Sequence, residues 1–388
     1  MGQAEDSLIR QDFPVTRKTV YMNNGAIAPT PLSTIKATTD FLLKCSVDGP
    51  DSMATSEYIS NVLNEIRERI AYLINCYKEE VILVQSTTEG LNLVANGLAW
   101  KYGDSIVVRA GKREHHANYF PWIAAARRNK LSLREISADA QGFFDESDLE
   151  RAAKGAKMIA MSHVLYNTGA IMPVGEVGKI ARENNALFCV DGAQSVGTIP
   201  VDVRRISCDF MAFPGFKWLV GPLGIGVLYC SKRAWESLSP TAVGGESAVL
   251  SGDNVLAYSE PPTRYQAGFR NYPGAAGLEA SLRYVLRIGI ENISKKNTRI
   301  SETIREGLAK LPGSKIHSPE DPRKRSSILT FSLPLESSLI VRRLEECGVI
   351  LADRDMGVER KAVRASPHFF NSEEEASLLI SHLRSIVS

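Results

Sequence analysis

The feature that most constrains this chain is a series of short apolar segments that alternate with amphipathic ones between residues 80 and 230. Seven segments are typical of strands: 80–85, 104–110, 131–136, 157–164, 187–193, 210–215 and 226–230. Apolar residues at helical spacing precede them at 57–74 and separate several of them at 88–100, 120–128 and 175–185. Continuously apolar strands separated by helices indicate a mainly parallel sheet that is covered on both faces. The chain is therefore predicted to be an α/β protein.

This alternation ends near residue 255. Residues 276–311 predict a long helix, strand patterns follow at 326–333, 349–355 and 362–367, and a further helix pattern lies at 336–347. The last helix opens with a capping box that runs from Ser372 to Glu375. We expect a large domain over residues 21–255, a smaller α+β domain over 256–388, and an N-terminal segment, 1–20, that packs with the small domain.

Composition excludes several classes of function. The formal net charge is only +2, without basic runs or a basic–aromatic stripe, so we expect no nucleic-acid partner and no membrane partner. No apolar stretch approaches the roughly 20 residues of a membrane span. The N-terminus lacks an apolar signal core, and the six cysteines are scattered without a metal-binding or disulfide pattern. These features predict a cytoplasmic protein with no metal site.

Polar residues follow several of the predicted strands, where ligands of open α/β sheets bind. Ser86, Thr87 and Thr88 lie where a strand ends and a helix begins, so their hydroxyls and free backbone N–H groups suit a phosphate. An ordinary helix cap is the alternative interpretation. His115 and His116 follow another strand, and because adjacent side chains point in different directions they do not form a good metal pair.

A carboxylate and a lysine at the same predicted sheet edge indicate which ligand it could bind. Asp191 terminates an apolar strand, where burial of its charge is costly unless a cation or donors meet it. Lys217 stands between Phe216 and Trp218 in a glycine-rich turn, and partial removal from water would lower its pKa and make it nucleophilic. A phosphate cradle, an imidazole, a buried carboxylate and an activated lysine together suit pyridoxal 5'-phosphate (PLP). The glycines of "GPLGIG" are wrongly spaced for a dinucleotide fingerprint and lead into a strand.

Longer motifs carry a family resemblance over nearly the whole chain. They are "TTEGLNLVANGL", "EHHANYFPW", "VDGAQSVG", "CDFMAFPGFKWLVGPLGIGVLY", "AGFRNYPGAAGLEASLRYV" and "VRASPHFFNSEEE". In this order they resemble class V aminotransferase-like, fold-type I PLP enzymes. The similar branch contains group II cysteine desulfurases, selenocysteine lyases and isopenicillin N epimerase-like proteins. The resemblance implies a fold-type I PLP-dependent transferase fold and a homodimer with shared active sites.

The resemblance also implies roles for individual residues. Lys217 would attach the cofactor and move protons, with His115 stacking on the ring as a second catalytic residue. The other cofactor-binding residues would be Asp191 at the pyridinium nitrogen, Gln194 at the phenolic oxygen, and Thr87 and Thr88 at the phosphate. Arg364 would bind the substrate carboxylate, since its planar fork suits that group. Tyr166 or Asn167 would also approach the cofactor, and Asn167 is taken as a substrate-binding candidate.

Some positions depart from the family pattern. Pro214 and Phe216 replace the hydroxyl residue and histidine that usually precede the lysine, and Phe269 replaces a threonine that reaches the partner's phosphate. Arg270 is a candidate substitute for that threonine. The segment 351–366 contains no cysteine, whereas cysteine desulfurases carry a sulfur-accepting cysteine just before the "VRAS" segment, and Cys347 lies at a helix end.

We therefore expect a PLP enzyme that acts on an L-amino acid by Cα deprotonation. The favoured reaction is that of a cysteine desulfurase-like C–S lyase, by β-elimination, without a persulfide-forming cysteine. The alternatives are a class V aminotransferase or an isopenicillin N epimerase-like epimerase. A non-catalytic binding protein that keeps the fold is the alternative from another functional class.

Overall fold

The computed structural model describes residues 3–110, 114–268, 270–356 and 361–387. The helices are α1 Gln3–Gln11, α2 Leu32–Asp48, α3 Met53–Ile74, α4 Thr87–Gly97, α5 His116–Asn129, α6 Glu146–Ala153, α7 Val174–Glu183, α8 Val203–Ile206, α9 Tyr272–Ile288, α10 Ile290–Leu308, α11 Ser337–Glu346 and α12 Glu373–Val387. The strands are β1 Val20–Tyr21, β2 Val81–Val84, β3 Ser105–Arg109, β4 Ser132–Ile136, β5 Met158–Ser162, β6 Leu187–Asp191, β7 Phe210–Pro214, β8 Gly226–Cys230, β9 Ala248–Ser251, β10 Val255–Tyr258, β11 Lys315–Ile316, β12 Leu329–Ser332, β13 Val349–Ile350, β14 Ala352–Asp355 and β15 Lys361–Ala365.

The seven strands predicted between residues 80 and 230 form one sheet, in the order β2-β8-β7-β6-β5-β3-β4. All neighbours pair in parallel except β8, which is antiparallel to both β2 and β7. Strand β8 follows β7 after a short connection, which favours an antiparallel neighbour. Because β2 and β7 both oppose β8, their carboxyl ends lie at the same sheet edge as those of β3, β5 and β6.

Successive side chains of each strand point to opposite faces of the sheet and belong to two different apolar cores. Val107, Ile159 and Val190 face one core, which α3, α7 and α9 cover. Their neighbours Ile106, Met158 and Cys189 face the other core, which α4 and α5 cover. The sheet is thus buried on both faces, as its continuously apolar strands predict.

The C-terminal part forms a four-stranded antiparallel sheet, in the order β11-β12-β15-β14, with its own core against α10, α11 and α12. The helix expected over 276–311 is two helices, α9 and α10, because the chain turns at Gly289 with φ +84°. Ser372 accepts a hydrogen bond from the N–H of Glu375, whose carboxylate accepts one from the N–H of Ser372, so the expected capping box is present.

The N-terminal segment contacts this C-terminal part. Strand β1 pairs in parallel with β13, and Arg10 forms a salt bridge with Glu375 at 2.7 Å. The ring of Phe13 stacks on that of Phe370 at 4.4 Å. The domain limits near residues 20 and 255 stay a prediction. Within the part of the chain that the structure describes, no helix combines the length and apolar character that crossing a membrane requires.

Candidate active site

Five segments that leave the same edge of the large sheet enclose a cavity of about 110 Å³. Its lining residues are Ser86, Thr87, Thr88, His115, Ala117, Ser162, Val164, Tyr166, Asp191, Ala193, Gln194, Pro214, Phe216 and Lys217. Six of the residues that the sequence singles out, Thr87, Thr88, His115, Asp191, Gln194 and Lys217, therefore meet at one place.

The first wall of the cavity is the N-terminus of α4. Ser86 is the N-cap residue, and its hydroxyl accepts a hydrogen bond of 3.2 Å from the N–H of Glu89. Thr87 and Thr88 line the cavity and belong to the first turn of α4, whose backbone N–H groups have no carbonyl partner within the helix. The helix cap and the anion cradle are thus the same feature, since one hydroxyl caps the helix and the next two remain beside the cavity.

Lys217 enters the cavity from the tight turn that follows β7. The turn is closed by a 2.8 Å hydrogen bond from the N–H of Gly221 to the carbonyl of Gly215. Val220 has φ +49°, which is unusual for a β-branched residue and marks a conformation imposed by its surroundings. Burial lowers the pKa of Lys217 to about 8, although the charge of Asp191 acts in the opposite direction. About a tenth of the amine is therefore neutral at pH 7, and about half at pH 8.

Asp191 terminates β6 and is 5% exposed. Its Oδ1 accepts a 2.9 Å hydrogen bond from the N–H of Ala193. Burial raises the pKa of Asp191 to about 6, while the backbone donor and then the charge of Lys217 lower it. A carboxylate in this setting gains from a cationic partner in the cavity.

His115 is the N-cap residue of α5, and its Nδ1 accepts a 3.1 Å hydrogen bond from the N–H of Ala117. The ring of Tyr166 meets it edge to face at 5.0 Å. Partial removal from water and the charge of Lys217 lower the pKa of His115, so the imidazole is neutral at pH 7, although the residue as a whole is exposed. His116 stacks on Phe120 instead, as the expected divergence of adjacent histidines requires.

A buried ion pair behind His115 was not recognised from sequence. Arg109, at the end of β3, donates to Glu114 at 2.9 Å, and both side chains are at most 1% exposed. Glu114 also accepts hydrogen bonds from the hydroxyl of Ser162 at 2.5 Å and from Asn118 at 3.1 Å. The only sequence signal is an acidic residue directly before the two histidines, and nothing in the sequence shows that it is buried.

Gln194 already uses part of its hydrogen-bonding capacity within the protein. Its Nε2 donates to the carbonyl of Gly25 at 2.8 Å, and its Oε1 accepts from the indole N–H of Trp218 at 2.9 Å. One amide hydrogen of Gln194 therefore remains for a group in the cavity.

Arg364 lies on β15 and is 1% exposed. It donates to the carbonyl of Tyr166 at 2.7 Å and to Oδ1 of Asn23 at 3.3 Å. Its Nε has no partner among the described residues. Burial and the nearby charge of Arg354 lower the pKa of Arg364 to about 9.

Of the two residues left open after β5, Tyr166 lines the cavity and Asn167 does not. Asn167 is 2% exposed, and its Oδ1 accepts a hydrogen bond from the N–H of Thr168 at 2.9 Å. The substrate-binding role expected for Asn167 gains no support from this position, because its amide oxygen caps its own turn.

Arg270 is not among the residues that line the cavity with Lys217. It forms an ion pair with Glu246 and lines a separate cavity of about 530 Å³ beside α4. Its Nε and the Nε2 of buried Gln266 have no partner among the described residues. Phe269 lies outside the described residues, as do positions 357–360 of the cysteine-free segment.

The cavity fits PLP. Its phosphate matches the α4 N-terminus, its pyridinium nitrogen matches the buried carboxylate of Asp191, and its aldehyde matches the partly neutral amine of Lys217. Each of the three polar ends of the cofactor therefore has a protein group of complementary chemistry.

Comparisons with known proteins identify the family to which the chain is similar. Residues 20–379 match the family model for class V aminotransferases. A probable cysteine desulfurase of Pyrococcus abyssi is 35% identical over 98% of this chain and 97% of its own length. The apo cysteine desulfurase of Thermococcus onnurineus NA1 superposes with a TM-score of 0.93 and 33% identity, covering 100% of this chain and 98% of its own.

The chain is also similar to C-DES, described as a cystine C–S lyase in complex with its reaction product cysteine persulfide. That structure has a TM-score of 0.88 and 27% identity and covers 96% of this chain and 99% of its own. In another C-DES structure, a lysine variant holds glycine covalently linked to the PLP cofactor. These findings confirm the predicted fold class and the resemblance drawn from the motifs.

Proposed function

The chain belongs to the class V aminotransferase family of PLP enzymes, and we propose from this premise that it cleaves the C–S bond of L-cystine by β-elimination. It is a PLP-dependent enzyme of the lyase or transferase type, with cysteine desulfurase-like character. Two observations support this reaction: Arg354 and Arg364 share one face of the β14–β15 pair and act electrostatically on Lys217, and the segment 351–366 lacks a cysteine.

Different residues around the cavity suit different parts of PLP. Lys217 would hold the aldehyde, Asp191 would hold the charge on the ring nitrogen, and Thr87, Thr88 and the α4 N-terminus would hold the phosphate. His115 would cover the ring, and the remaining amide hydrogen of Gln194 would donate to the phenolic oxygen. When bound, PLP supplies an electron sink that acidifies the Cα proton of the amino acid.

Lys217 is the proton-transfer group. As a free amine, Lys217 would accept the Cα proton of the substrate, and its pKa of about 8 leaves roughly half of the amine neutral near pH 8. Arg364 fixes the substrate carboxylate, which places the Cα proton on a defined side. Loss of the β-substituent then requires no further cofactor.

The segment that would carry a sulfur-accepting cysteine has none. Residues 348–388 contain no cysteine, and Cys347 is exposed at the C-terminal end of α11. Cys189, Cys208 and Cys230 are buried, and burial raises the pKa of each thiol, which disfavours the reactive thiolate. Release of sulfur on the leaving group, as cysteine persulfide, avoids the need for such a thiol.

Arg354 supports cystine as the substrate. In the register of β14 and β15, Arg354 lies opposite Ala362 and Arg364 opposite Ala352, so both arginines project from the same face of the sheet. Among the described residues, Arg354 donates only to the carbonyl of Asp353, at 3.3 Å. Its charge lowers the pKa of both Arg364 and Lys217, which places it within electrostatic reach of the site. Cystine carries a second carboxylate that this second guanidinium can bind.

The decisive experiment incubates PLP-loaded enzyme with L-cystine, L-cysteine and L-alanine. The proposed reaction converts cystine and water into cysteine persulfide, pyruvate and ammonia in equal amounts. Pyruvate without a keto-acid acceptor supports elimination, whereas acceptor-dependent keto acid indicates an aminotransferase and D-amino acid indicates an epimerase. Lys217→Ala is the control that should abolish turnover. Wild-type protein that binds PLP but turns over no amino acid would favour the non-catalytic alternative.

We also propose a homodimer in which Arg270 reaches the active site of the partner subunit. Arg270 and Gln266 line the cavity of about 530 Å³ beside α4, which offers room for a segment of a second chain. Arg270 is already held by Glu246, so it can be presented in a fixed orientation.

A further inference from the structure

Lys217 is followed by Trp218, a buried indole that the proposed reaction does not use. Trp218 is 1% exposed and packs with Val164 and Ile328 in a small apolar cluster. Trp218 makes two hydrogen bonds with different parts of the chain. Its indole N–H donates to Oε1 of Gln194, and its carbonyl accepts from Nε2 of His368 at 3.1 Å. The residue therefore joins the active site to the C-terminal part of the chain.

The orientation of the His368 ring follows from these contacts. A carbonyl only accepts, so Nε2 must carry the hydrogen and Nδ1 must be an acceptor. Asn297 on α10 meets Nδ1 with its amide nitrogen at 3.3 Å, as this assignment requires. Burial lowers the pKa of His368 to about 3, which keeps the ring neutral. Asn297 therefore donates to His368, and His368 donates to Trp218.

Ring packing and backbone geometry fix Trp218 further. The imidazole of His368 meets the indole edge to face at 5.1 Å and 83°. Gly197, with φ +97°, lies against the Trp218 backbone so closely that a Cβ there would come within 2.7 Å of the Trp218 carbonyl oxygen. The indole therefore has little freedom to move away from Gln194.

The consequence concerns the amide of Gln194. An amide that rotates by half a turn exchanges its donor and its acceptor, and only a donor suits the phenolic oxygen of PLP. Because Oε1 is held by an N–H group that can only donate, the amide nitrogen is forced to the opposite position. There it donates to the carbonyl of Gly25 and keeps one hydrogen for the cavity.

We propose that Trp218, held by His368 and Asn297, is a positioning residue that fixes the Gln194 amide with its donor toward the cofactor. The inference rests on the proposed PLP site but is independent of which amino acid is the substrate. It also predicts that α10 and the segment after β15 influence the cofactor through this chain of contacts.

Trp218→Phe tests the inference, because phenylalanine keeps an aromatic ring and lacks the N–H group. Trp235→Phe is the matched control: its indole N–H donates to the Cys230 carbonyl at 3.2 Å, and Trp235 does not line the active-site cavity. We expect Trp218→Phe to weaken PLP binding by about fivefold, the usual effect of one hydrogen bond. The visible absorption band of bound PLP should titrate at a higher pH, because a phenolic oxygen without its donor holds a proton more tightly.

Trp235→Phe should leave both the PLP Kd and this titration as in the wild type. Equal values for both variants would overturn the inference, whereas wild-type protein that does not bind PLP would overturn the proposed function instead. If Trp218→Phe does not fold, His368→Leu provides the same measurement, since it removes the donor to the Trp218 carbonyl and retains the indole. A smaller shift in the same direction supports the inference, and an unchanged titration overturns it.

Discussion

At the scale of single residues, the site works by placing ionisable groups where water cannot reach them fully. Asp191 and Lys217 have pKa values of about 6 and about 8 because burial disfavours the charged form of each. In the proposed site, these pKa values would leave both groups enough charge to bind a polar cofactor and would leave the lysine enough neutral amine to react with it.

The lowered pKa of Lys217 predicts the pH dependence of cofactor attachment. Its neutral fraction rises through about pH 8 and is nearly complete a pH unit above, whereas an ordinary lysine would still be gaining neutral amine at pH 10. The rate of PLP incorporation into cofactor-free protein should therefore rise from pH 6 to 8 and level off near pH 9. Stopped-flow absorbance measures this rate, and a peptide lysine under the same conditions gives the reference. A rate that climbs steadily to pH 10 would contradict the assignment.

Arg354 makes a prediction about specificity. Arg354→Met should raise KM for L-cystine by about tenfold or more, the value of a hydrogen bond to a charged group, because the distal carboxylate loses its partner. KM for L-cysteine, with one carboxylate, should stay within about twofold of the wild type. Arg323→Met, in an exposed turn beside Asp321, is the matched control. Equal losses for both substrates would assign Arg354 a structural role.

At the scale of elements, the buried Arg109–Glu114 pair joins the ends of β3 and β5 to the start of α5. Glu114 accepts from Ser162 on β5 and from Asn118 on α5, so one carboxylate holds three elements that shape the cavity. Removal of one partner of a buried pair is costly, because the other charge stays in a medium of low polarity.

Glu114→Ala should therefore lower the free energy of unfolding by about 3–5 kcal/mol. The midpoint of urea unfolding, followed by circular dichroism, measures the loss, and Glu183→Ala on the exposed face of α7 is the control, with an expected change within about 0.5 kcal/mol. The change at Glu114 should also weaken PLP binding, since His115 is the next residue. Unfolding at the wild-type midpoint would mean that the pair does not stabilise this edge.

At the scale of the whole molecule, the proposed homodimer predicts a mass of twice the 42.6 kDa of one chain in light scattering. The shared site can be tested by mixing inactive subunits. A hybrid of one Lys217→Ala chain and one Arg270→Ala chain would contain one site with both Lys217 and the partner's Arg270. Unfolding and refolding the two variants together should restore activity to about a quarter of the wild type, assuming random pairing in a symmetric dimer.

The same mixing experiment has a clear opposite outcome. If Arg270 serves the active site of its own chain, no site in the hybrid contains both Lys217 and Arg270. The mixture should then show only the summed activity of the two variants refolded separately. Each variant refolded alone is the control. The cytoplasmic location and the domain limits near residues 20 and 255 stay predictions.

The sequence by itself determined the large sheet and the position of most candidate site residues at one of its edges. Strands that are apolar at every position require burial on both faces, which is typical of parallel strands. The polar residues that follow parallel strands lie at one sheet edge, as Ser86, Asp191 and Lys217 do. Helix starts were also readable, because capping is a local interaction between residues three apart, as at Ser372 and Glu375.

Only the tertiary structure decided which side chains face one another. The burial of Glu114, the choice of Tyr166 over Asn167 at the cavity, the shared face of Arg354 and Arg364, and the contact of Trp218 with Gln194 each depend on segments far apart in the chain. The cost of burying a charge or an amide is set by the groups that surround it in space. A local sequence pattern gives the residue type but not the groups that surround it in space. For this reason the pKa shifts of the site residues could not be predicted without the fold.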